Sequence, residues 1–179
     1  PLPRDLAFSQ QAARAIPEIA KLKPLIIDES DGTLTSYHRA LQVGYTGTSH
    51  KNCKGFFKSL ANLALVAHFF DDDRLTVLSA EDLQNLPVVP LQQDFASVGI
   101  LGLDHCERNG HHYNFGLSML SELDKRNATR RHPDLYEKLG DEWFLRIRQG
   151  RVACASLHGV GFGVVDEPAQ VLRRHAVEH

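Results

Sequence analysis

Gly47-Thr-Ser-His-Lys-Asn-Cys-Lys-Gly55 decides the reading of this chain. It places two lysines, a histidine and a cysteine in one glycine-bounded segment. Upstream, Gly44-Tyr-Thr46 reads as a short strand. Downstream, the run from Phe56 to Phe70 is apolar enough for a buried helix. Reactive side chains at a strand-to-helix junction are where α/β proteins keep their chemistry.

Working outward, the same unit recurs. Pro24 to Ile27 is a short apolar strand that runs into Asp28-Glu-Ser-Asp31, and a helix from about Thr35 to Val43 follows, stopped by Gly44. Leu75-Thr-Val-Leu78 is a strand ending at Glu81, and Pro87 to Leu101 has helical spacing with Gly102 as its stop. Leu103-Asp-His-Cys106 is a strand leading into Glu107-Arg-Asn-Gly-His-His-Tyr113. Taken at Asp28, Lys51, Glu81 and Glu107, the intervals are 23, 30 and 26 residues. A βα unit of a (β/α)8 barrel takes about 31 residues, so four units fit and eight do not. The periodicity therefore predicts an α/β fold, a partial (β/α)8 TIM barrel of about four βα units.

The flanking segments are read more simply. Leu6 to Leu22 has helical spacing that Pro17 should weaken or kink. Asp71-Asp-Asp73 is a solvated loop. Leu117 to Lys125 is helical, and Arg126 to His132 is a basic loop. Trp143 to Cys154 alternates around Gln149-Gly150, which predicts a C-terminal β-hairpin. Arg173 to His179 should be ragged.

Composition narrows the function. The chain has 179 residues, enough for one well-buried core. A net charge of −2 gives no general attraction to nucleic acid or to an anionic membrane, and no apolar run approaches the roughly 18 residues of a membrane span. Cys53, Cys106 and Cys154 are an odd, sparse set, which points to a reducing compartment and a cytoplasmic location. His50, Cys53, Cys106 and His111 or His112 would make a Cys2His2 zinc set, but the second pair has no standard spacing. No nucleophile elbow, P-loop or dinucleotide fingerprint is present.

Every strand end supplies an ionisable group: Asp28 and Glu29, Lys51 and Lys54, Glu81, then Glu107 with His111. In a parallel α/β fold these converge on one side of the sheet. Carboxylates and a lysine in one cleft suit proton transfer beside a divalent cation, because the cation needs hard oxygen ligands and a lysine can act as base where neighbouring positive charge lowers its pKa. Each group also has a plainer role: Asp28 and Glu29 as helix caps, Lys51 and Lys54 as solvated charges or an anion clamp.

These residues resemble the enolase superfamily, in its mandelate racemase and muconate-lactonizing branch. Leu25-Ile-Ile-Asp-Glu-Ser30 resembles the fifth barrel strand, and Lys51-Asn-Cys-Lys-Gly55 resembles the sixth strand end. Glu107 to Tyr113 is similar to an eighth strand end, and Pro1 to Ala7 to the segment following the fourth strand. The resemblance implies strands five to eight of the barrel and Mg2+-dependent abstraction of a proton α to a carboxylate. By position it implies Asp28 and Glu29 on the metal side, and Lys51, Glu81 and Glu107 as catalytic groups. Lys54, His50 and His111 would contact a small carboxylate substrate.

It implies a division into residues 1–140 (half of the catalytic barrel), 141–165 (hairpin and return segment) and a flexible tail at 166–179. It also implies an incomplete metal site. The ligands of the third and fourth strands are absent from this sequence, so the chain is expected to be the C-terminal half of a larger enzyme and inactive alone. A half barrel leaves sheet edges uncovered, so a homo-oligomer is expected. The competing expectation is a small α/β module that binds an anion at Ser49 to Gly55 without turnover.

Overall fold

The computed structural model describes residues 2–70, 75–82, 86–108 and 114–164. The fold is mixed α/β, and the chain divides into two compact units. One is Pro1–Leu83 with Leu101–Arg108; the other is Gln84–Ile100 with Asn109–His179.

The first unit opens with helices α1 (Arg4–Ala7) and α2 (Gln10–Ala20). Ser9 starts α2, its Oγ accepting from the Ala12 N–H at 3.1 Å. Pro17 lies inside α2. The following helix, α3 (Ser36–Val43), stops at Gly44, which takes a left-handed φ of 109°. That glycine also makes room for the proline, because a Cβ on it would lie 2.8 Å from Pro17 Cγ. Ala12 and Ile16 of α2 then meet Ile27, Tyr37, Ala40, Leu41 and Tyr45 in the unit's apolar core.

The sheet holds four strands in chain order, all parallel: β1 (Ile26–Ile27), β2 (Gly47–His50), β3 (Val77–Asp82) and β4 (Glu107–Arg108). Helix α4 (Phe56–Phe70) covers β2 and β3. Beyond β1 the strands lie two to four residues later than their apolar runs suggest. The residues expected as a junction, Gly47 to His50, are the buried strand itself, and the strand expected at Gly44 to Thr46 lies ahead of it. Gly47 explains the shift. A Cβ there would sit 2.1 Å from the Val77 carbonyl oxygen, so only glycine lets β2 and β3 close at that step. The expected strand at Leu103 to Cys106 is likewise displaced, to Glu107–Arg108.

The second unit packs helix α5 (Val89–Ile100) through Leu91, Phe95 and Ala96 against Leu117, Ala128, Leu135, Tyr136 and Leu157. Helix α6 runs Glu122–Arg131, so most of the expected basic loop at 126–132 is helical. Ser121 Oγ accepts from the Asp124 N–H at 3.2 Å, and the arginines occupy the last turn, where the helix dipole favours positive charge. The hairpin at Gln149-Gly150 is present, joining β7 (Ile147–Arg148) to β8 (Arg151–Val152). A second hairpin, β5 (Tyr136–Leu139) with β6 (Glu142–Leu145), precedes it and was not expected. The acidic loop at 71–73 and the tail at 166–179 lie outside the described residues.

Candidate active site at the strand ends

Successive side chains of β2 alternate between its two faces, so Ser49 and Lys51 lie on one side and Thr48 and His50 on the other. Lys51 is one step past the His50–Ala80 register pair, level with Glu81, and Glu81 is in turn in register with Glu107. Asp28 follows Ile27, whose register partner is Thr48, and so shares the face of Lys51.

Four of the expected groups, Asp28, Lys51, Lys54 and Glu81, meet there. Lys51 Nζ lies 2.8 Å from Asp28 Oδ2 and 2.9 Å from Glu81 Oε2, with its side chain only 4% exposed. A 3-10 turn at Asn52–Lys54 carries the second lysine back toward β1. Lys54 Nζ then donates to Asp28 Oδ1 at 2.7 Å and to the Asp28 carbonyl at 2.8 Å. Burial acts to raise the Asp28 carboxyl, but the hydrogen bonds and charges of Lys51 and Lys54 outweigh it and hold it below its ordinary 3.8. Burial acts to lower the Lys51 ammonium, and Asp28 and Glu81 outweigh it, leaving the group above its ordinary 10.5. Lys51 is thus an ammonium at neutral pH, fixed between two carboxylates, and not the lysine of lowered pKa expected of a general base.

The opposite face of β2 carries a second polar network, against α4. Asp31 is almost fully buried and its Oδ2 meets Lys58 Nζ at 2.8 Å, Thr48 Oγ1 at 3.0 Å and Asn62 Nδ2 at 3.1 Å. Lys58 also donates to the Asp31 carbonyl, which ties the loop carrying Asp28 to α4. His50 Nδ1 is 2.6 Å from Ser59 Oγ. Burial, then the nearby charges of Lys54 and Lys58, push the imidazole down to about 4, so it is neutral.

Two expected site residues are therefore placed elsewhere. His50 faces the helix side and does not reach Lys51. Glu29 is exposed, and among the described residues its carbonyl alone is engaged, by Arg4 Nε at 2.7 Å. Glu107 adjoins Glu81 but is exposed, with no ion pair among the described residues. His111 lies outside the described residues. Sequence reading missed Asp31, Thr48, Lys58, Ser59 and Asn62. The signal for three of them was a polar stripe on an otherwise apolar helix: Lys58, Ser59 and Asn62 fall three and four apart on α4.

Both Asp28 oxygens are held by ammonium groups, so a divalent cation would have to displace one of them. Among the described residues no three His, Cys, Asp or Glu side chains come together to hold a metal ion. The described residues as they stand do not fit a Mg2+ centre. Comparison with protein-family models, with curated proteins and with solved structures returned no match. No described helix is long and apolar enough to cross a membrane.

Proposed function

We propose that this chain carries strands five to eight of an enolase-superfamily barrel and serves proton transfer at the carbon α to a carboxylate. The chemistry would be that of a racemase, cycloisomerase or acid-sugar dehydratase. One observation carries the reading: the Lys51 ammonium sits nearly buried between carboxylates from the neighbouring strand ends, Asp28 and Glu81. The unbroken chain order of the parallel strands supports it, since a doubly wound sheet reverses its order at the ligand crevice.

In this reading Lys51 delivers the proton to one face of the substrate. Its raised pKa keeps it protonated at neutral pH but makes it a weaker acid, so it would give up the proton only to a strongly basic carbon centre. It accepts a proton only when one neighbouring carboxylate loses its charge or swings away. Lys54 orients Asp28, Glu81 holds Nζ in place, and Glu107 extends the row toward the substrate. Mg2+ belongs to this reading only with ligands from other strands: Asp28, with Glu29 next to it, would become a ligand once Lys51 or Lys54 released one of its oxygens, and the cation would supply charge stabilisation to the deprotonated substrate. The isolated chain is accordingly inactive.

The same reading makes the protein a cytoplasmic homo-oligomer. None of the three cysteines forms a disulfide, and among the described residues β1 and β4 each leave one sheet edge unpaired. A stable monomer in light scattering would remove the oligomer. A simple anion clamp at Ser49 to Gly55 is less well supported, because the Lys51 and Lys54 charges are already matched by Asp28 and Glu81.

The test is α-proton exchange in D2O, followed by NMR over a panel of hydroxy acids and acid sugars with Mg2+. The chain is assayed alone and fused to a half barrel supplying strands one to four. Exchange is expected only in the fusion, and Lys51→Met should lower it by about 10²–10⁴-fold. Exchange that survives Lys51→Met defeats the assignment of the proton donor.

A further inference from the structure

A cavity of about 260 Å3 in the first unit lies apart from the lysine rim, and none of Asp28, Lys51, Lys54 or Glu81 lines it. Its walls include Arg4, Arg39, Ser30, Thr33, Thr35 and Ser36, and no acidic residue. Two positive charges therefore face one space with nothing in it to balance them.

Each guanidinium is anchored but little used. Arg4 donates from Nε to the Glu29 carbonyl at 2.7 Å, and its head group lies against Gly32, where a Cβ would stand 3.4 Å from Cζ. Arg39 stacks over the Phe8 ring at 4.8 Å and reaches the Phe8 carbonyl at 3.5 Å. Neither is paired with a carboxylate among the described residues. Each fork carries five N–H donors, so most remain available.

The hydroxyls point the same way. Thr33 Oγ1 is 2.9 Å from Ser36 Oγ and 3.3 Å from Thr35 Oγ1. Ser36 Oγ also accepts from the Thr33 N–H at 3.0 Å. Three hydroxyl protons serve two mutual hydrogen bonds, which leaves one proton for a ligand.

We infer that this pocket binds a phosphate dianion, free or as a phosphomonoester. Two guanidinium forks match its charge of about −2 and its several acceptor oxygens better than they match a carboxylate. The cavity has room for a phosphate group and a few atoms more. The site is independent of the proton-transfer reading and would stand if that reading failed.

The experiment titrates the full chain in low-salt, phosphate-free buffer with inorganic phosphate, glycerol phosphate and acetate, by calorimetry and amide NMR. Saturable 1:1 binding of phosphate or glycerol phosphate is expected, with amide shifts at Thr33 to Ser36 and with acetate much weaker. Preference between the two phosphates identifies the source. Arg39→Met and Arg4→Gln should each weaken binding by about tenfold or more, and Lys54→Gln should leave it within about twofold. If Arg39→Met fails to fold, Arg4→Gln decides alone, since its exposed side chain leaves no buried group behind. The inference is overturned by no saturation at about 20 mM, by equal binding of acetate, by binding that survives both arginine changes, or by loss of binding in Lys54→Gln.

Discussion

The two faces of β2 carry the same kinds of residue under different constraints. On the rim face, Lys51 touches Asp28 and Glu81, whose side chains keep about a fifth of their surface in solvent (20% and 18%). On the helix face, Lys58 touches Asp31, and neither reaches a tenth exposed (8% and 1%). A partly wet ion pair can exchange partners at modest cost, because water compensates the carboxylate left behind. A dry one cannot, because either charge left alone would be buried without compensation. One strand thus separates the group that can react from the staple that holds its loop.

The largest effect should come from breaking the dry pair. Lys58→Met leaves the Asp31 carboxylate buried and unpaired, and should lower unfolding stability by about 3–5 kcal/mol. Lys51→Met leaves Asp28 still held by Lys54, with both carboxylates partly solvated, and should cost only about 1–2 kcal/mol. Urea unfolding of the two variants is the check, and equal losses would erase the distinction between the faces.

Acid should separate the faces next. His50 titrates near 4 in the fold and near 6.5 when unfolded, so its contribution is complete above pH 6.5 and is lost as pH falls toward 4. That gap corresponds to about 3 kcal/mol. The Asp28 contribution is present above its unfolded value of 3.8 and disappears only below that. Buried His132 of the second unit is also shifted down by burial, so its contribution too is lost as pH falls below 6.5. The informative quantity is therefore the difference from His50→Gln, whose amide can keep the Ser59 bond. A stability profile between pH 6.5 and 4 that is unchanged in that variant would place the helix-side sensitivity elsewhere.

The same contrast explains what the sequence made legible. The Ser9 cap that starts α2 and the helical part of the expected basic loop went unread, but the Gly44 stop of α3 was legible from local chemistry, and α4 was placed to the residue. Strands were not, because β2 and β4 are built from polar residues, and their position depends on a close approach at Gly47 that no local pattern announces. The rim residues Asp28, Lys51, Lys54 and Glu81 could be read from their recurrence after each strand. The helix-side network could not, since Asp31 and Lys58 are 27 residues apart and look like surface charges until the chain folds. Alternation along β2 could have warned that His50 and Lys51 face opposite ways, had the strand been placed correctly.

The most direct measurement is the titration of Lys51 itself, followed through its side-chain carbon resonance in selectively labelled protein. A midpoint above the ordinary 10.5, moving down toward it in Glu81→Gln, is expected of an ammonium held between strand-end carboxylates. A midpoint at or below 10.5 that ignores the Glu81 substitution would contradict it.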